Sequence, residues 1–96
     1  MTHSPYTVLW SADAVETVKE DAARSPKSIR PSITKSLKEI DSRLRNDPMG
    51  FGEIYRSNGN VQEFLAVLAP VAVDFAVDIH RKIVQVRSSH VLAGPD

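Results

Sequence analysis

The last third of the chain reads Phe64-Leu-Ala-Val-Leu-Ala-Pro70, Val71-Ala-Val-Asp-Phe-Ala-Val-Asp78 and Ile83-Val-Gln-Val-Arg87, with only short interruptions. Aliphatic and aromatic runs joined this tightly are typical of strands connected by turns. The stretch therefore predicts three consecutive strands that form an antiparallel meander.

Alternation within the second of these runs distinguishes its two faces. Val71, Val73, Phe75 and Val77 alternate with smaller or charged residues, so one face is expected in the core and the other is expected to be partly wet. The segment 78–82 is the expected turn into the last strand.

A short strand and a short amphipathic helix are predicted near the amino terminus. Tyr6–Trp10 forms the strand, and Ser11 is well placed to cap a helix over Ser11–Arg24. Ser25-Pro26 ends that helix, because the residue before proline is biased away from helical geometry.

The second helix has a regular apolar stripe. Ser28–Arg45 is predicted helical, with its stripe at intervals of four, four, three and four residues: Ile29, Ile33, Leu37, Ile40 and Leu44. The segment 49–60 contains three of the four glycines and is expected to be a mobile loop or a loose edge strand. The expected fold is α+β, of order β-α-α-β-β-β in a single domain over residues 1–96, with a helical hairpin on one face of a small, mainly antiparallel sheet.

Composition restricts the functional classes. The chain has 96 residues and no cysteine, which excludes disulfides, thiolate nucleophiles and zinc–thiolate sites. No apolar run approaches the ~20 residues needed to cross a bilayer, and no signal peptide is evident, so a cytoplasmic location without membrane association is expected. No cofactor is predicted, and His3 and His80 lack partners at metal-ligand spacing.

The formal net charge of zero hides an uneven distribution. Residues 24–45 carry seven basic and two acidic side chains, a local charge of +5, whereas the segments on either side are acidic. The second helix is therefore the basic surface of the chain. Its candidate partner-binding residues are Lys35, Lys38, Arg43 and Arg45.

The order and spacing of short motifs along most of the chain resemble those of one known family, the RelE/ParE superfamily. The matching segments are Tyr6-x-Val8-x-Trp10-Ser11, Ile40-Asp41-x-x-Leu44-x-x-Asp47-Pro48, Gly52-Glu53, Pro70-x-x-Val73-x-Phe75-x-Val77 and Arg81-x-Ile83-Val84-x-Val86. The superfamily comprises toxins of bacterial type II toxin–antitoxin systems, including plasmid-stabilisation proteins. The resemblance implies a helical hairpin on a twisted antiparallel sheet and a cognate antitoxin whose tail wraps the toxin. Some members cut messenger RNA on the ribosome, and others inhibit DNA gyrase.

The chain departs from the ribonuclease branch at positions that matter for catalysis. Where that branch commonly has an arginine before the core of the third strand, this sequence has Ala72, with Asp74 as its neighbour on the same face. The usual basic and aromatic tail is also replaced by Val91-Leu-Ala-Gly-Pro-Asp96. Arg87 and His90 alone match the Arg-x-x-His arrangement that often follows the final strand.

RNA cleavage by 2′-hydroxyl attack needs a base, an acid and a cation near the phosphate. His90 is the candidate for proton transfer, and Arg87 or Arg56 is the candidate for holding the phosphate. The competing interpretation makes His90 a solvated residue in a fraying tail and Arg87 an exposed charge. Glu63 and Asp74 are expected to be exposed strand charges rather than a paired-carboxylate site.

Two functions therefore remain. The favoured one is a toxin-like protein that acts by binding an antitoxin and possibly gyrase, with a degenerate ribonuclease site. The alternative is an active endoribonuclease, acting on ribosome-bound messenger RNA, that uses Arg87 and His90.

Overall fold

The computed structural model describes residues 5–92. Its helices and strands are, in chain order, β1 (Thr7–Trp10), α1 (Ala12–Arg24), α2 (Arg30–Asn46), β2 (Glu53–Asn58), β3 (Val61–Leu68), β4 (Val71–Asp78) and β5 (Ile83–Val91). The expected α+β architecture is confirmed. Of the two structures expected for residues 49–60, the edge strand is the one found, as β2.

The strands form one sheet in the order β1-β5-β4-β3-β2. β2 to β5 are a continuous antiparallel meander, while β1 pairs with β5 in parallel. Both helices pack on one face of this sheet; the other face is called the open face below.

The core lies between the sheet and the helices. The apolar residues of β4 that alternate in the sequence are all buried, as predicted: Val71, Val73, Phe75 and Val77. The Phe75 ring stacks between Phe64 at 5.2 Å and Phe51 at 6.2 Å, centroid to centroid. Aromatic burial therefore ties the centre of the sheet to the segment between α2 and β2.

Helix α2 begins later, and is rotated slightly, relative to the sequence prediction. It starts at Arg30 after a 3-10 turn at Lys27–Ile29, and Pro31 lies in its first turn as expected. Ile40 is fully buried, whereas Leu37 is only half-buried. Ser36 takes the buried position instead, and its hydroxyl donates to the Ala69 carbonyl at 2.9 Å. This hydrogen bond satisfies the polar atom, so the helix can bury serine where a leucine was expected.

Helix α1 and its cap supply hydrogen-bond partners to the part of the β5 edge that β1 leaves unpaired. β1 pairs with only the first part of β5, up to Val86. Beyond that point α1 supplies the partners: Ser11 Oγ donates to the Arg87 carbonyl at 3.1 Å, and Ser89 Oγ donates to the Ala14 carbonyl at 2.7 Å. The Val91 N–H donates to Asp21 Oδ2 at 3.1 Å. Ser11 also accepts from the Ala14 N–H at 3.0 Å, which confirms it as the cap of α1.

The contact with β5 changes the acidity of Asp21. The Val91 N–H lowers the pKa of Asp21 below its ordinary value, with further help from Arg24, and these effects outweigh the opposing effect of burial. The charged form of Asp21 therefore stabilises the attachment of α1 to the end of β5.

Glycine is required at the entry to β2. Gly52 has φ of 89°, and a Cβ there would lie 2.7 Å from both the Ala66 Cβ and the Leu65 carbonyl oxygen. Both the backbone conformation and the close approach to β3 exclude larger residues.

We predict that Ile40→Ala lowers the free energy of unfolding by about 2–5 kcal/mol, because it leaves a cavity beneath α2. Leu37→Ala is the control on the same helix and should cost only about 1 kcal/mol, since this side chain is half-exposed. Urea unfolding followed by circular dichroism measures both. Equal losses would contradict the rotation of α2 described above.

We also predict that Asp21→Ala destabilises the fold by about 1–2 kcal/mol at neutral pH, through loss of the hydrogen bond to β5. Because the folded pKa is depressed, the contribution of Asp21 is present above the unfolded pKa of about 4 and is lost as the pH falls through the folded pKa. The difference between wild type and variant should therefore shrink in acid. Asp21→Asn keeps an acceptor oxygen and should lose less; a pH-independent difference between wild type and Asp21→Ala would refute the linkage.

Candidate functional site

Cross-strand pairing determines which polar side chains share the open face. Directly opposed residues point to the same side of a sheet. One row across the open face consists of Gln85 on β5, Ala76 on β4, Glu63 on β3 and Arg56 on β2. The next row contains Ser88, Asp74, Leu65 and Glu53 in the same strand order.

Arg87 enters this surface through a bulge in β5. Phe75 pairs with Val86 and Asp74 pairs with Ser88, so Arg87 is the extra residue without a partner on β4. In the row described above, Ala76 of β4 lies between β5 and β3. Its small side chain leaves room for the long Arg87 side chain to pass over β4. The Arg87 guanidinium reaches across β4 and donates from Nη2 to Glu63 Oε1.

Glu63 joins two arginines. Its Oε1 accepts from Arg87, and its Oε2 lies 3.4 Å from Nε of Arg56. The Glu63 side chain is only 9% exposed, whereas Arg56 and Arg87 are 66% and 46% exposed. The prediction that Glu63 is an exposed strand charge is therefore wrong. Its burial is explained by its two cationic partners, which offset the cost of removing a carboxylate from water.

A second hydrogen-bonded pair lies beside this group. The Tyr55 hydroxyl donates to both oxygens of Asp74, at 2.8 and 3.0 Å. Partial desolvation, and then the Asp74 carboxylate, raise the pKa of Tyr55 above its ordinary value, so the phenol stays protonated. We call these residues the open-face cluster: Tyr55, Arg56, Glu63, Asp74 and Arg87.

His90 lies within β5 rather than in a fraying tail. It pairs with Ala72 across the β4–β5 ladder, one row beyond Asp74. Its Nδ1 is 4.0 Å from Asp21 Oδ2. Within residues 5–92 no hydrogen bond or ion pair joins His90 to Arg87. The structure thus brings Arg56 and Arg87 together through Glu63 and places His90 beside α1.

The arrangement leaves few free groups for RNA cleavage. A phosphate that approached Arg56 and Arg87 would compete with a carboxylate already bound to both. Ala72 adds no cation in the row that contains His90. Tyr55, which the sequence did not single out, adds a phenol to this face, but its proton is donated to Asp74.

The predicted basic surface of α2 is present but partly neutralised. Arg45 Nε bonds Asp41 Oδ2 at 2.8 Å, and Arg43 lies 3.7 Å from Glu39 and 5.7 Å from the Phe51 ring centroid. Lys35 and Lys38 are exposed and form no ion pair with any other residue in 5–92. These two lysines therefore carry the free positive charge among the four predicted partner-binding residues.

Asp41 is fixed from two elements. It accepts from the Trp10 indole N–H at 3.0 Å as well as from Arg45. Burial alone would raise its pKa, but these hydrogen bonds hold the pKa of Asp41 below its ordinary value. Arg45 is thus tied to the junction of β1 and α2.

A shallow groove of about 410 Å³ runs between the two helices. Its apolar lining comes from Val18, Ala22, Ile33 and Leu37, and its cations are Lys19 and Arg30. Arg30 donates to the carbonyls of Ala23 and Ser25, at 3.1 and 3.3 Å, and so joins the end of α1 to the start of α2. The helical hairpin consequently presents an apolar channel bordered by positive charge.

Among residues 5–92, no three His, Cys, Asp or Glu side chains are grouped so as to hold a metal ion. His3 lies outside this range. No helix within it has the length and apolar character required to span a membrane.

Comparison by sequence finds no matching protein-family model and no matching curated protein. Comparison by structure does find matches. The archaeal RelE–RelB complex from Pyrococcus horikoshii OT3 contains a chain that superposes with a TM-score of 0.66 at 16% identity, covering 94% of this chain and 98% of that one. A chain of the toxin–antitoxin complex RelBE2 from Mycobacterium tuberculosis superposes with a TM-score of 0.62 at 18% identity, covering 91% and 98%. The chain therefore has a RelE-like fold, as the sequence resemblance predicted.

Proposed function

We propose that this RelE-like chain is the toxin-like member of a type II toxin–antitoxin pair, and that it acts by binding proteins rather than by cutting RNA. Its partner is an antitoxin-like protein, and gyrase is a candidate target. The similar chains from Pyrococcus horikoshii and Mycobacterium tuberculosis were solved as a RelE–RelB complex and a toxin–antitoxin complex. Their near-complete overlap with this fold supports an antitoxin partner here.

The main observation against catalysis is that Glu63 forms ion pairs with both Arg56 and Arg87. An active ribonuclease needs cations free to stabilise the developing phosphorane charge. Here the two candidate arginines share a buried carboxylate, and Ala72 stands where another cation would be expected. The open-face cluster is thus a neutralised version of a phosphate-binding surface.

The partner is an acidic, partly apolar segment that binds on the helix layer. The groove between α1 and α2 offers apolar side chains with Lys19 and Arg30 in its lining, and Lys35 and Lys38 are exposed elsewhere on helix α2. An aliphatic segment with acidic flanks complements both properties. Such a segment would order on binding, as disordered tails with low intrinsic hydrophobicity do.

The alternative function is an mRNA endoribonuclease in which Arg87 holds the phosphate and His90 transfers the proton, with Arg56 as a second cation. The specific observation in its favour is that Arg87 and His90 are both on β5 beside the open face, three residues apart. For this function Glu63 would have to release Arg87 when RNA binds.

We predict that the purified chain does not cleave RNA, either free or on translating ribosomes, because both arginines are engaged by Glu63. Primer extension on a ribosome-bound message measures this, with an active RelE-type ribonuclease as the positive control. Arg87→Ala and His90→Ala should give the same background as wild type. Cleavage by wild type that disappears in both variants would establish the alternative.

We predict that reversing Lys35 and Lys38 to Glu slows association with the antitoxin-like protein by about tenfold in low salt, while dissociation changes less. Exposed charges mainly steer the encounter of two proteins. Stopped-flow fluorescence at several ionic strengths separates the two rates, since salt screens this steering.

The matched control replaces both lysines by arginine, which preserves the charge and should preserve the association rate. If the Glu variant associated as fast as wild type in low salt, the basic face of α2 would be an ordinary solvated surface. Failure of wild type to bind any acidic partner, measured in the same assay, would instead count against the proposed function itself.

A further inference from the structure

We propose that the open face of the sheet binds a second protein partner, through a segment that carries aliphatic and basic side chains. The binding surface is an apolar patch on β3 and β4, formed by Leu65, Val67 and Ala72, with the carboxylates of Glu53 and Asp74 beside it. The inference goes beyond the proposed function, because it concerns the side of the sheet opposite the helix layer and a partner of opposite charge.

Two large aliphatic side chains of β3 are exposed on the open face. Leu65 and Val67 are 52% and 56% exposed, although β3 has a neighbouring strand on each side. Val67 is directly opposite Ala72 on β4, so the apolar surface extends to that strand. The outer face of an antiparallel sheet is normally polar where it meets water. A contiguous apolar patch in this position is typical of a surface that another protein covers.

Tyr55 gives this apolar patch a fixed aromatic border. The residue is on β2, and its hydroxyl donates to both oxygens of Asp74 on β4. The ring therefore passes over β3, between Glu63 and Leu65. A side chain that is already held in place loses little conformational freedom when a partner binds. Tyrosine and arginine are also enriched in protein interfaces, and the open-face cluster supplies both beside the patch.

The charges around the patch favour a basic partner. Leu65 is opposite Glu53 on β2 and Asp74 on β4, so a carboxylate lies on each side of it. Neither carboxylate forms an ion pair with any residue of 5–92. The open-face cluster is neutral, since Glu63 and Asp74 balance its two arginines, and Glu53 adds one negative charge. A lysine or arginine that reaches one of these free carboxylates, next to an aliphatic residue packed on Leu65, complements both properties of the surface.

Selection from a phage library of random peptides, with the whole chain as the immobilised target, tests the proposal. We expect one class of enriched peptides to carry an aliphatic residue close to Lys or Arg. Fluorescence anisotropy of a labelled synthetic peptide of this class measures its affinity. Replacing both Leu65 and Val67 by Thr should weaken binding about tenfold, because threonine keeps the strand propensity and removes apolar contact. Glu53→Lys should weaken binding about fivefold in low salt, and less in high salt.

Matched controls make the same changes away from the patch. Leu9→Thr removes an aliphatic side chain that is 47% exposed on β1, opposite Gln85 on the open face and two strands away from β3. Glu16→Lys makes the same change of charge at an exposed position on α1. Both controls should bind the peptide as wild type does. Reversing Lys35 and Lys38 to Glu should also leave this affinity unchanged, so a failure of the proposed function on the helix layer is distinguishable from a failure here.

The proposal is overturned if no enriched peptide depends on Leu65 and Val67, or if the peptides that depend on them are acidic. Displacement of the peptide by a short single-stranded RNA would also overturn it, because the open face would then bind nucleic acid. Self-association of wild type that disappears in the double Thr variant, measured by analytical ultracentrifugation, would make a second copy of the chain the occupant instead. Circular dichroism checks the fold of each variant. If the double variant unfolds, Val67→Thr alone and Glu53→Lys still decide the outcome, since both positions are exposed.

Discussion

The structure depends on the need to pair both edges of β5. This strand has nine residues, whereas β1 has four, so β1 cannot satisfy the whole edge. Unpaired buried backbone groups cost as much as lost hydrogen bonds. Where β1 ends, Ser11 donates to the Arg87 carbonyl and Asp21 accepts from the Val91 N–H, and the Ser89 hydroxyl adds a side-chain hydrogen bond to the Ala14 carbonyl of α1. This requirement fixes where α1 lies, and the position of α1 in turn leaves the groove beside α2.

The sheet also separates two chemically different surfaces of the molecule. On the helix layer, apolar side chains line a groove with Lys19 and Arg30, and Lys35 and Lys38 of α2 are exposed. On the open face, the bulge in β5 turns Arg87 towards Glu63, and the positive charge is largely neutralised. The free positive charge of α2 and the neutralised charge of the open face therefore lie on different sides of the sheet.

Local features could be predicted from the sequence, and features that depend on register could not. The cap at Ser11 and the alternation in β4 are decided within a few residues, and both are as expected. The contact between Glu63 and Arg87 depends on two ladders and a bulge that places an extra residue in β5. A one-residue shift would send either side chain to the other face. The burial of Ser36 likewise required knowledge of the distant Ala69 carbonyl.

Tyr55 sits at an irregularity in β2, where Ile54 pairs with Phe64 and Arg56 pairs with Glu63. The bulge interrupts the ladder of an edge strand that has only six residues. An incoming strand would therefore meet two short rows of backbone groups in different orientations instead of one continuous row. The outer edge of the sheet is a poor template for another copy of the chain, so the irregularity that brings Tyr55 to Asp74 also opposes edge-to-edge aggregation.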